Sequence, residues 1–176
     1  MDPKKYYNQT IMLFMGLNPK NDIKKLSKWC GISEEEAYAE IKNYKEIDAQ
    51  DLKLSMFEDK KDTILKEYAT KLREKQIEIE KKEGMDEVID KIILSLGYPK
   101  LQEGINAIVD LSGISEEEAL DLIKKYRYCD AKYFKFLNSP GNERFLQQKS
   151  NIINKIIQKT VQNKIVEREQ NSGFKL

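Results

Sequence analysis

Histidine is absent from the 176 residues of this chain. That excludes Ser-His and Cys-His nucleophiles, imidazole general bases and most zinc sites. The two cysteines, Cys30 and Cys129, lie far apart in the chain and make no disulfide framework. Glycine numbers 8 and proline 4, too few for a loop-rich or all-β protein. No apolar run approaches the roughly 20 residues that span a bilayer, and the first residues lead into no secretory segment. Neither charge sign dominates: 31 basic and 30 acidic residues leave a net charge of +1, so nothing predicts global capture of nucleic acid. A Gly-rich phosphate loop, a GxSxG elbow and a metal-spaced Cys or His cluster are also missing. The expectation is a cytoplasmic, non-enzymatic protein with no cofactor, no metal and no membrane partner.

What is present is a repeat. Gly31-Ile32-Ser33-Glu34-Glu35-Glu36-Ala37 recurs as Gly113-Ile114-Ser115-Glu116-Glu117-Glu118-Ala119, 82 positions later. At the same offset Ile41, Lys42, Tyr44, Asp48, Ala49 and Lys53 meet identical residues, giving 13 identities over the 23 positions 31–53. The predicted fold is all-α, a tandem duplication of a helical unit of about 82 residues. Its parts are repeat one over 1–83, repeat two over 84–169 and a flexible tail over 170–176. Each repeat reads as about five helices with a helix-turn-helix-like core and a long terminal helix. In the first, these cover 6–15, a helix capped by Asn21 or Asp22 up to Cys30, then 34–45, 48–57 and 62–82. In the second they cover 85–96, 100–112, 115–127, 130–137 and a last helix ending near 168.

Ser33 with Glu36 and Ser115 with Glu118 read as Ser-x-x-Glu capping boxes, and three glutamates complement the positive end of each helix. Helix initiation is therefore the first reading of the Glu triplets. An acidic partner-binding patch at Glu34, Glu35, Glu116 and Glu117 is the functional one. In the last helix Ile152, Ile153, Ile156, Ile157, Val161 and Ile165 form an apolar stripe, assigned to the intramolecular core and long enough for a homodimer seam.

Helix, Gly-Ile-Ser turn, helix resembles the helix-turn-helix of transcription regulators. Leu26, Ile32, Ala37 and Ile41 carry the resemblance in one copy, and Ile108, Ile114, Ala119 and Ile123 in the other. It implies DNA contact through the second helix, yet that helix would present three carboxylates to phosphates, which repel them. Charge is unevenly spread. Residues 31–60 hold 4 basic and 9 acidic side chains, whereas 131–176 hold 9 basic and 3 acidic. Aromatic and basic residues interleave before and within that basic third, as in platforms for single-stranded nucleic acid. Tyr126, Phe134 and Phe136 are expected in the core, matched by Tyr44, Leu52 and Leu54. Arg127, Tyr128, Lys132, Tyr133, Lys135, Lys149 and Lys155 remain as candidates for nucleic-acid or partner contact. A protein partner is the leading expectation and nucleic acid the alternative. Cys30 is expected as a small core residue.

Overall fold

The computed structural model describes residues 3–54, 57–75 and 85–173. These form eight α-helices and, among the described residues, no strand. They are α1 (Pro3–Met15), α2 (Pro19–Cys30), α3 (Glu34–Leu54), α4 (Glu58–Lys75), α5 (Met85–Gly97), α6 (Leu101–Ser112), α7 (Glu116–Lys135) and α8 (Glu143–Gly173). The starts of α5, α6 and α7 fall 82 residues after those of α1, α2 and α3. No helix is long and apolar enough to cross a membrane among these residues.

Among the described residues four helices fall within 3–75 and four within 85–173, not the five expected for each repeat. The breaks expected after Lys45 and Arg127 do not occur, because α3 and α7 run on without interruption. Asp48 and Asp130, read as starts of short helices, turn inward instead and serve as counter-ions for buried cations. No Gly or Pro stands between 34 and 54 to stop the helix. The cap of α2 is also earlier than expected. Asn18 accepts the Asn21 amide at 3.3 Å, and Pro19 occupies the first helical position, where its missing N–H is not needed. At the far end α8 continues through Gly173, past the expected stop at 168. Part of the expected helix 62–82 and the junction between the halves, 76–84, lie outside the described residues.

At the two repeated turns the serine half of each expected capping box forms. Ser33 Oγ accepts the Glu36 amide and Ser115 Oγ the Glu118 amide, each at 3.1 Å. Gly31 and Gly113 close the preceding helices at φ 69° and 72°, the left-handed conformation that glycine adopts without a steric penalty. Ser33→Ala and Ser115→Ala should each destabilise by ~1 kcal/mol in denaturant titrations. An unchanged midpoint in both would show that the hydroxyls do not cap.

The apolar residues of the helical stripes gather into two clusters. One centres on Phe14, Leu26, Ile41, Tyr44, Leu65 and Tyr68, the other on Leu96, Ile108, Ile123, Tyr126, Ile153 and Ile156. They interlock: Phe134 of α7 packs in the first cluster, and Met12 and Leu17 pack against the second. Close passage of α1 and α5 depends on Gly97, where an added Cβ would stand 3.0 Å from Ile11 and Met15.

Between the clusters lies a buried ionic network. Lys45 of α3 pairs with Asp130 of α7 at 2.5 Å, and Arg127 of α7 pairs with Asp48 of α3 at 3.2 Å. Lys45 and Arg127 are 82 positions apart, as are Asp48 and Asp130. The two pairs are thus reciprocal at the 82-residue offset, a self-complementary pattern like that of a two-fold interface. Lys61 of α4 adds a bond to Asp48 at 2.9 Å, and Lys149 of α8 one to Asp130 at 2.7 Å. Setting Lys61 on Lys149 also places Leu65, Tyr68 and Leu72 on Ile153, Ile156 and Thr160, all buried.

The remaining groups tie the network to turns. Lys149 donates to the Gly16 carbonyl at 3.0 Å, and Arg127 to the carbonyls of Leu96 and Tyr98. The Tyr126 hydroxyl donates to the Met15 carbonyl at 2.7 Å, whereas the equally buried Tyr44 hydroxyl has no hydrogen-bond partner among the described residues. Tyr126→Phe should therefore cost about 1 kcal/mol, and Tyr44→Phe should be neutral or stabilising. Paired denaturation curves that showed equal losses would contradict this assignment.

Candidate functional site

The seven basic and aromatic candidates separate by burial. Arg127 and Lys149, expected as surface contacts, are only 2% and 0% exposed, and both belong to the ionic network just described. They are corrected to structural residues: a cation held by a buried carboxylate and backbone carbonyls has no route to an external phosphate. Sequence alone hid this, because a lysine on an amphipathic helix reads as solvated unless its counter-charge is known. Burial pulls the Lys149 ammonium below its usual range, against the opposing pull of Asp130. Burial alone would raise the Asp130 carboxyl, but Lys149 and Lys45 together hold it below the usual carboxylate range.

Tyr128, Lys132, Tyr133 and Lys135 stay accessible on α7. Tyr128 is 55% exposed, with the Lys132 ammonium 5.7 Å from its ring centre. Lys135 lies 5.6 Å from the ring of Phe136. Phe136 is exposed, contrary to the expected core position, because α7 ends at Lys135 and the chain turns away there. Tyr126 and Phe134 are buried as expected. Tyr44, the counterpart of Tyr126, is buried too, and the side chains of Leu52 and Leu54, the counterparts of Phe134 and Phe136, lie outside the described residues. Lys155 does not stand free: its ammonium is 3.4 Å from Glu118, at the start of α7. In the last helix Ile152, Ile153 and Ile156 are core, and Ile157 packs against them. Val161 and Ile165 are exposed.

The acidic candidates are all exposed. Glu34 and Glu35 line a groove of about 630 Å³ between α2, the start of α3 and the chain just after α7. Ile23, Tyr38 and Leu137 form its apolar floor, with Lys20 and Lys24 along the α2 side. Tyr38 is set in place by stacking on Phe134, 5.2 Å between ring centres. Glu117 lines a second depression, of about 470 Å³, with Leu120, Asp121 and Lys124, while Glu116 stands beside it on the first turn of α7. Leu120 is the residue 82 positions after Tyr38. The groove residues missed by sequence reasoning, Lys20, Lys24, Tyr38 and Leu137, carried one weak signal. Lys20, Ile23 and Lys24 stand at helical spacing on one face of α2.

The thiols are unsuited to nucleophilic work. Burial pushes Cys30 up to about 11, despite Lys71 and Lys75 nearby. Burial also raises Cys129, whose Sγ donates to Gln148 at 3.0 Å. Among the described residues no three acidic or cysteine side chains converge on a metal-sized space.

A second pocket, of about 380 Å³, opens between α1, α2 and α5. Asp22 stands in its wall with Asn18, Lys25, Lys28 and Trp29. Desolvation pushes the Asp22 carboxyl up to about 7, even with Lys45, Lys149 and Lys25 pulling it down. Compared with protein-family models, curated proteins and solved structures, the chain matches none.

Proposed function

We propose that this chain is a non-enzymatic binding protein, built by tandem duplication of a helical unit of about 82 residues, that acts through contact with a protein partner. The observation that carries this reading is the groove of Ile23, Tyr38 and Leu137, with Lys20 and Lys24 on one side and Glu34 and Glu35 on the other. An apolar floor between rows of opposite charge suits an amphipathic helix that brings the complementary rows. The alternative, nucleic-acid binding, has less support. Arg127 and Lys149 are spent inside, Lys155 faces Glu118, and the helices of the helix-turn-helix-like corners begin with exposed carboxylates.

The test places a photo-crosslinking residue at Tyr38 and, as a control, at Tyr128, in host extract. A protein captured from Tyr38 is then purified and its affinity measured directly. The expected result is a loss of about tenfold or more with Tyr38→Asp, and again with Glu34→Lys and Glu35→Lys together, at unchanged thermal midpoint. Tight salt-dependent binding of an oligonucleotide, abolished by neutralising Lys132 and Lys135, would replace the protein-partner reading with the nucleic-acid one.

A further inference from the structure

The groove of Ile23, Tyr38 and Leu137 has a counterpart that shows how little of it the fold requires. Eighty-two positions on, Gln102 stands for Lys20, Asn106 for Lys24 and Leu120 for Tyr38. There the two polar residues are neutral and bonded to each other at 2.9 Å. Leu137 is also particular to this groove. Lys61 matches Lys149 at an offset of 88 rather than 82, so six residues are added between Lys135 and Lys149, the stretch that holds Leu137. The lysine row, the tyrosine and the Leu137 rim are thus additions to the repeated unit.

A second apolar surface lies near the end of α8. Val161, Ile165 and Val166 are each about half exposed. Among the described residues the other large apolar side chains as exposed as these are Tyr38, in the groove, and Tyr128 and Phe136, which have lysine ammoniums over their rings. Setting Lys61 on Lys149 puts Arg73, itself exposed, at the place of Val161, so the fold asks for no apolar residue there. Val161 and Ile165 share one face at helical spacing, and the exposed Lys164 flanks it. Glu167 and Glu169 follow in the sequence.

We propose that the groove of one molecule receives the α8 end of a second copy, with Val161 and Ile165 on Ile23, Tyr38 and Leu137, and Lys164 toward Glu34 and Glu35. This rests on the reading of the groove as the seat of an amphipathic helix, and it names the helix. The convex apolar end matches the apolar floor, and its lysine meets the acidic row. A molecule cannot fill its own groove. Leu137 lies just ahead of α8, whereas Ile165 stands 22 residues past Glu143 on an unbroken helix, a span of about 33 Å. At that far end Asn163 packs against the Gly113 turn, in the other half of the chain. Two different surfaces meet, so the contact is heterologous, and each joined pair still offers one free groove and one free α8 end. A single helix end in one groove is a small interface, which places the affinity in the micromolar range or weaker.

The test is sedimentation equilibrium of the full chain from about 10 μM to about 1 mM. The expected result is an average mass that rises with concentration through the dimer and beyond it. Ile165→Asp and Tyr38→Asp, each alone, should weaken association about tenfold or more, with the melting curve showing a folded protein. Mixed, they should recover one contact: the groove left intact in Ile165→Asp takes the α8 end left intact in Tyr38→Asp, giving a dimer that grows no further. Glu34→Lys with Glu35→Lys, which leaves the stacking of Tyr38 on Phe134 in place, should act as a groove variant even if Tyr38→Asp melts early. A pure protein that stays monomeric, groove variants that associate like wild type, or a mixture that stays monomeric would each overturn the proposal. A monomeric pure protein together with a different protein captured at Tyr38 would overturn this inference and leave the groove reading in place. No capture at Tyr38 from any source would remove both.

Discussion

Asp130→Ala should destabilise the protein by about 3–5 kcal/mol, the range for removing one partner of a buried ion pair. For a chain of this length the thermal midpoint should fall by on the order of 10 °C. The variant would leave Lys45 and Lys149 facing each other, both 5% exposed or less, with no carboxylate between them. Hydrogen-bonded pairs in this network join four cations, Lys45, Lys61, Arg127 and Lys149, to two carboxylates, Asp48 and Asp130. Positive charge is in excess, so losing a carboxylate should hurt more than losing a cation. Lys149→Met keeps the volume of the stem, relieves part of the excess and leaves Lys45 on Asp130. It should cost less than half as much as Asp130→Ala. Equal losses in calorimetry at neutral pH would show that the charge excess has no energetic weight. The contribution of Asp130 also has a defined pH window. Its carboxyl is held below the usual range in the folded state, so its stabilisation is present above the unfolded value and lost as acid protonates it. Wild type and Asp130→Ala should converge toward low pH.

Asp22→Asn should do the opposite and stabilise. The Asp22 carboxyl has an ordinary value of 3.8 and sits at about 7 in the folded protein, chiefly through desolvation. Between those values the unfolded chain has given up the proton while the folded one keeps it, so stability falls as pH rises through this window. Above it the penalty is constant. The amide of asparagine has no charge to desolvate, and at pH 8 the variant should gain on the order of 2 kcal/mol over wild type. At about pH 3 and below, where both states of the wild type are largely protonated, the two proteins should melt together. A gain that was the same at both ends would mean that burial of the charge is not its source.

Local chemistry was legible from residue order. Ser33 and Ser115 cap because a hydroxyl followed three residues later by glutamate satisfies the first amides of a helix, wherever that helix packs. Gly31 and Gly113 end helices because glycine alone takes a positive φ freely, and the helical spacing of Ile23, Leu26 and Cys30 marks the buried side of α2. The all-helical composition and the 82-residue recurrence needed no coordinates. The sites were legible only in part: Glu34 and Glu35 were seen as exposed acids, but the groove they line is closed by Leu137, about a hundred positions away in the chain.

Tertiary structure alone decided which charges are solvent and which are core. Lys149 and Lys155 are both lysines on one helix, yet one is fully buried on Asp130 and the other stands at the surface beside Glu118. A helical period says which residues share a face. It does not say whether a carboxylate from another helix waits opposite, and that opposing charge is what makes a buried ammonium tolerable. For the same reason Asp48 and Asp130 read as helix starts and proved to be the counter-ions on which the two halves meet. The repeat is written in the order of the residues. The reciprocal pairing of Lys45 with Asp130 and Arg127 with Asp48 exists only once α3 and α7 cross, because it depends on distances between segments the chain itself keeps apart.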